Sequence, residues 1–239
     1  MSTDRVTLDI DEAGVAIVTL AHPPLNIYDL AMRDDLIAAI TAIRDIPSVR
    51  ALLLRAEGKH FSAGADLSEF GSADSIHEAR RIRWDCDPWI PLLNLPVPSV
   101  AALHGFTVGS GMEMAMLCDI RIASPDLQIG LPETKLSMLP AAGGTQSLTR
   151  AIGPHAALPL VLTARNLDAD EALRRGIIWS IADDVDLAAC AIAEQLAELD
   201  PQVARSIRRC LHASGDLPIE AGLALESRLG RPPHHARPD

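Results

Sequence analysis

The sequence predicts an α/β protein in which strands and helices interleave through most of the chain and helices alone close it. Three observations carry that expectation. An alternating hairpin opens the chain, short apolar runs recur between segments of helical spacing, and beyond about Gly143 the texture becomes mostly helical.

The elements follow in order. VTLDI and VAIVTL alternate around the turn Asp11-Glu12-Ala13-Gly14 and read as a β-hairpin. After the loop HPPLN, the segment LAMRDDLIAAITAIRD spaces its apolar residues for a helix. VRALLLRA (49–56) is apolar and short, as a strand buried on both faces should be. The loop GKHFSAGADLSEFG leads to a helix-like stretch at 75–93, closed by Pro96 and Pro98. PSVAALHG is a further buried strand, a helix starts near Gly109, and IRIAS and LQIG are short strands. GGTQSLTRAIG, PHAALPLVLT and DADEALRRG read as short helices, and IIWSI as one late strand. VDLAACAIAEQLAELD, PQVARSIRRCLHASG and PIEAGLALESRLG read as three helices; Asp200-Pro201 separates two of them, since proline is accepted in a first turn. The tail RPPHHARPD has no periodicity and is expected to fray.

Composition narrows the function. A 48% hydrophobic and 22% charged chain of 239 residues has ample core material, although aromatics make up only 3%. The formal net charge of −11 argues against a protein that tracks nucleic-acid phosphates. The four cysteines are scattered without a CxxC pair, which suits free thiols in a reducing cytoplasm, and His77-Glu78 lacks the second histidine of HExxH, so no metal is expected. No apolar run reaches membrane-spanning length and MSTDRVTLDI is too polar for a signal peptide.

Two glycine-rich turns stand out. GFTVGSG is not a Rossmann turn, and AAGGTQS lacks the Lys-Ser/Thr of a phosphate loop. GFTVGSG does precede a helix, whose first N–H groups are unpaired. It is either a packing turn or one half of a site for a developing oxyanion. FSAGAD is a second small-residue turn after a strand, and the two can converge at one edge of a sheet. Glu113 is the one Asp, Glu, Lys or Arg between Gly105 and Cys118, flanked by Met112, Met114 and Met116. It reads either as a dipole-favoured acid near a helix start or as a buried carboxyl tuned for proton transfer. Glu133, beside Pro132, reads equally as an exposed helix start paired with Lys135 or as a functional acid. Asp66, Asp119 and His104 read as caps or packed polar groups as readily as catalysts.

Together, FSAGADL, AALHGFTVGSGMEMAMLCDIRIAS and IGLPETKLSMLPAAGGTQSLTRAIG closely resemble the enoyl-CoA hydratase/isomerase (crotonase) superfamily. LTARNLDADEALRRGII and PPLNIYDLAMRDDL add to the resemblance, which runs over roughly residues 5 to 215. It implies a crotonase-like spiral of ββα units over 1–184, a C-terminal helical region over 185–230 and a disordered tail over 231–239. It further implies a homotrimer or hexamer acting on an acyl-CoA thioester with no separate cofactor, since coenzyme A belongs to the substrate; the cytoplasmic location is the default expected from the cysteines and the polar start. Neither nucleic acid nor membrane is an expected partner.

Carried onto this chain, the resemblance makes the backbone N–H groups of Ala65 and Ser110 the oxyanion donors. Glu113 is assigned to the water and Glu133 to the substrate Cα. Ala63, Gly64, Asp66 and Leu67 in the first turn and Gly109 in the second then contact substrate. Pro132, Leu136 and Gly143 do so around the second glutamate. The implied activity is hydration of a 2-enoyl-CoA to a 3-hydroxyacyl-CoA in fatty acid metabolism. Isomerisation by the same enolate chemistry is the alternative, and a non-catalytic acyl-CoA-binding scaffold is an alternative of another class. The chain departs from the family pattern at Ser110, where glycine is usual, at Ser68, where hydratases often carry a CoA-holding lysine, at Ser137, where glycine is common, and in a shorter C-terminal helical region.

Overall fold

A computed structural model of the chain describes residues 4–70, 75, 77, 78, 80 and 85–230. The hairpin forms as β1 (Val6–Ile10) and β2 (Val15–Leu20), antiparallel, with Val6 opposite Leu20. Helix α1 (Leu30–Asp45) follows, capped by Asp29, whose carboxylate accepts the Met32 N–H. Strand β3 (Ala51–Ala56) then lies parallel to β2. Strands β4 (Ser99–Leu103), β6 (Ile120–Ala123) and β9 (Ser180–Ile181) extend a six-stranded sheet in the order β1-β2-β3-β4-β6-β9. A second sheet holds β5 (Phe106–Val108), β7 (Gln128–Gly130) and β8 (Leu167–Asp168).

The helices among the described residues are short around the site and longer after it. Helices α2 (Leu67–Phe70), α3 (Trp89–Leu93) and α4 (Ser110–Leu117) come first, then the 3-10 turn Glu133–Leu136. Helices α5 (Gly144–Ile152), α6 (Pro154–Thr163), α7 (Ala169–Arg174), α8 (Val185–Ala197), α9 (Pro201–Ala213) and α10 (Ile219–Leu229) complete the chain.

The central parallel strands β3 and β4 are buried almost throughout, as a sheet covered on both faces requires, and alternate residues face different cores. Leu52, Leu54, Ala101 and Leu103 face the larger core with α1 and α4. Ala51, Leu53, Val100 and Ala102 face a smaller core under α8. Ala189, Ala193 and Ala197 recur every four residues on α8, a small-residue face that seats the helix close against the sheet.

The chain separates into two compact units, Met1–Glu198 and Leu199–Asp239. Helix α8, grouped with the C-terminal helices by its sequence, packs with the sheet, its alanine face lying against β3 and β4. In the second unit α9 and α10 pack on each other and bury Ala204 and Leu225.

Several local expectations change. FTV, inside the glycine-rich turn, is a strand, β5, because it pairs with β7. IIWSI contributes only Ser180–Ile181, while Ile177 and Ile178 are buried in the turn before it. Of the helix-like stretch at 75–93, α3 is described, whereas residues 76, 79 and 81–84 lie outside the described residues, as does the tail 231–239. Cys86, Cys118, Cys190 and Cys210 are free thiols. Among the described residues no helix is long and apolar enough to cross a membrane, and no His/Cys/Asp/Glu group is arranged to hold a metal.

Candidate active site

The two glycine-rich turns meet. Ser62 pairs with β5 through two bonds: its N–H donates to Phe106 O and the Val108 N–H donates to Ser62 O, each at 3.0 Å. The chain of the first turn thus runs beside the strand that delivers the second. Gly64, at φ +100°, lies so close to the second turn that an added Cβ would sit 3.3 Å from Val108 O and 4.0 Å from Ser110 N. That contact, with the left-handed φ, is why a glycine occupies this position.

Each turn then presents a backbone donor. The Tyr28 N–H donates to Gly64 O and the Asp66 N–H donates to Tyr28 O, both at 2.9 Å, so the intervening Ala65 N–H points away from Tyr28. Ser110 is the first residue of α4, where an N–H has no acceptor within the helix. Backbone donors left free by the fold are the kind of group that a developing oxyanion needs.

The two glutamates border the same helix start. Glu113 is 2% exposed, and its Oε1 accepts N–H bonds from Ala142 and Gly144, each at 2.9 Å. An apolar helix tolerates this carboxyl because backbone donors from a distant loop satisfy it. Glu133 begins the 3-10 turn, and its Oε1 would lie 3.0 Å from a Cβ on Gly109, the residue before α4. Its Oε2 is buried and meets no hydrogen-bond partner among the described residues. Burial pushes the Glu133 carboxyl above the ordinary carboxylate range, opposed only by a backbone hydrogen bond. Burial likewise pushes the Tyr28 hydroxyl well above its usual range, opposed by Arg33 and reinforced by Asp87, Asp34 and Glu113.

The remaining expected residues spread around this centre. Ala63 donates to Leu25 O, and Asp66 Oδ1 accepts from the Ser68 N–H and hydroxyl, an acid serving as a cap. Pro132 precedes the 3-10 turn, and Gly143 lies between the two residues that bond Glu113. Leu67 and Leu136 are exposed at 46% and 51%, so both stand at the outer ends of their turns. Asp119 and His104 are structural: Asp119 bonds the Ser99 N–H, and His104 Nε2 meets Gly58 O. A cleft of about 780 Å3 is lined by Lys135, His155, Leu160, Arg165 and Arg175 and by none of the expected site residues, and Glu171 pairs with both of its arginines.

Sequence reasoning missed Ala142 and Gly144 as the donors that hold Glu113, about thirty residues away in the chain. It also missed Asn26 and Ser62, which support the first turn. Asn26 in the proline-rich loop and the serine in FSAGAD were the available signals, since buried small polar residues are bonded ones.

The sequence profile of the enoyl-CoA hydratase/isomerase family matches residues 11–237. The chain belongs to that family. A protein of Mycobacterium bovis named a probable enoyl-CoA hydratase is 34% identical over 232 residues, covering 96% of this chain and 89% of that protein. The short-chain-enoyl-CoA hydratase of Clostridium acetobutylicum is 34% identical over 231 residues, covering 95% and 88%. The solved structure of an enoyl-CoA hydratase from Bacillus anthracis superposes with a TM-score of 0.87 at 29% identity, covering 95% of this chain and 89% of that one. The fold is that of the crotonase enzymes, and the protein is an enzyme of the enoyl-CoA hydratase type.

Proposed function

We propose that this enzyme adds water across the 2,3 double bond of a 2-enoyl-CoA, giving a 3-hydroxyacyl-CoA. The observation that carries the reading is that two glutamates border one helix start, whose Ser110 N–H lies beside the turn that carries the Ala65 N–H. Water attacks Cβ and gives its proton to Glu113. The electron pair of the C=C moves onto the thioester oxygen as an enolate, held by the Ala65 and Ser110 N–H groups. Glu133 then supplies the proton to Cα, and collapse of the enolate restores the carbonyl. A carboxyl whose hold on its proton is strengthened by burial suits that second role. The two acids share one water, so their titrations are coupled, and proton exchange with solvent resets them.

The flanking residues Ala63, Gly64, Asp66, Leu67, Gly109, Pro132, Leu136 and Gly143 complete the proposed substrate contacts. The same proposal includes a homotrimer or hexamer in the cytoplasm, working in fatty acid metabolism with no cofactor beyond the substrate's own coenzyme A.

The test follows the ultraviolet absorbance of the conjugated thioester with crotonyl-CoA and with longer and branched enoyl-CoAs. Loss of absorbance with a mass gain of one water is expected. Conversion without a mass gain makes the enzyme an isomerase instead. No turnover of any substrate by folded protein overturns the reading.

A further inference from the structure

We infer that Ser62 is a positioning residue that sets the separation of the two oxyanion donors; the inference rests on the hydratase reading above. Ser62 is wholly buried and touches both turns at once. Toward the first turn, its Oγ accepts the Gly64 N–H at 3.3 Å and so holds the residue just before Ala65. Toward the second, its backbone is bonded to Phe106 and Val108 in the strand that leads to Ser110. Its Cβ also rests on the first turn of α4. A Cβ added to Gly111 would come within 2.7 Å of Ser62 Cβ and 2.9 Å of Ser62 O.

The serine hydroxyl is itself anchored. It donates to Asn26 O at 2.8 Å, and Asn26 is wholly buried in a left-handed conformation at φ +45°. Asn26 Nδ2 donates to Glu57 O and His60 O, and its Oδ1 accepts the His22 N–H, each at 2.8 Å. The side chain thus ties the loop before α1 to the loop before Ser62. With its amide and carbonyl engaged, Asn26 has little freedom to move, and neither has the hydroxyl bonded to it.

A satisfied network of this kind matters to catalysis because oxyanion donors act over a narrow range of distance. A displacement of about 1 Å at a reacting centre can cost on the order of a hundredfold in rate. Ser62 spans the two turns with a side chain short enough to lie against Gly111 and polar enough to hold Gly64. Alanine keeps the Cβ against Gly111 but leaves the Gly64 N–H without its acceptor and Asn26 O without its donor.

Ser62→Ala therefore separates positioning from packing. The probe is butyryl-CoA carrying 13C at the thioester carbonyl; it has no C=C to hydrate, and its infrared carbonyl band reports how strongly the donors polarise it. In the parent enzyme the band shifts to lower frequency on binding. In Ser62→Ala the shift is smaller, kcat with crotonyl-CoA falls about tenfold, and KM changes by less than about threefold. Thr107→Val is the control. Thr107 faces Ser62 across the bridge, is equally buried, and its hydroxyl has no partner among the described residues; its loss leaves the band and kcat unchanged. If Ser62→Ala does not fold, Ser62→Cys, whose thiol is a weaker acceptor, shows the same reduced shift. A folded Ser62 variant that polarises the carbonyl as fully as the parent overturns the inference while the hydratase reading stands. A parent enzyme that binds butyryl-CoA without moving the band overturns the oxyanion assignment, and the inference with it.

Discussion

Glu113 and Glu133 are the same residue type at the same helix start, held in opposite ways. Glu113 sits on a regular helix, almost fully buried, with Oε1 accepting two backbone N–H groups from the loop at 142–144. Glu133 sits on a 3-10 turn with no buried residues, yet its Oε2 is enclosed without a partner among the described residues. The first carboxylate is oriented by bonds made to it as an acceptor. The second is positioned by its backbone, and desolvation favours its proton. Burial of the residue is thus a poor guide to the state of the acid. What meets each oxygen decides it, and the contrast matches one acid that receives a proton and one that gives it.

The comparison breaks most directly at the acids themselves. Glu113→Gln and Glu133→Gln are each expected to lower kcat with crotonyl-CoA by about 10²–10⁴, with substrate binding largely kept. Steady-state kinetics checks this, and full activity in either variant removes that residue from the mechanism.

A smaller effect sharpens the role of the 142–144 loop. A Cβ at Gly144 would lie 2.9 Å from Glu113 Oε1 and 3.0 Å from both Leu131 methyls, so Gly144→Ala must displace one of them. It is expected to cost about 1–3 kcal/mol in a denaturant titration and roughly tenfold in kcat. An unchanged kcat would show that Glu113 does not need its two donors.

Glu133 also makes a prediction about stability. Its folded pKa lies above the ordinary 4.5, so the fold bears a cost for the ionised form that the unfolded chain does not. The carboxyl's contribution is fully present below its unfolded value and is lost as pH rises through the folded value. Glu133→Gln should therefore melt above the parent at neutral pH, with the gain vanishing near pH ~4. Thermal melts across that range test the sign.

The smallest effect belongs to an acid outside the site. Hydrogen bonds from Arg165, then Arg175, hold the Glu171 carboxyl down to about 2. Its pairing stabilises above the ordinary carboxylate pKa and is lost as pH falls through that depressed value. Glu171→Gln should melt slightly below the parent at neutral pH, converge with it in strong acid, and leave kcat unchanged.

Much of this arrangement was legible in the chain. Alternation gave β1 and β2, and helical spacing gave α1, because each pattern is set within a few residues. The glycines marked both turns for the same reason: Gly64 and Gly109 adopt positive φ, which is a local requirement. Non-local pairings were not legible. FTV is a strand only because β7 lies beside it, and α8 joins the sheet only because its alanine face fits there. The fate of the two acids was equally hidden. Met112, Met114 and Met116 announced a buried Glu113 but not the donors from Ala142 and Gly144, and Lys135 pointed to an exposed Glu133 that the structure half-encloses.

By itself the sequence determined the alternation of strands and helices, the two glycine turns, the paired glutamates and the family resemblance, all of which depend on residue type and short-range spacing. Tertiary structure alone decided that Ser62 joins the two turns, that Glu113 has its donors and that one oxygen of Glu133 does not. Those outcomes depend on which backbone groups arrive from distant segments, and burial makes each such group costly to leave unpaired.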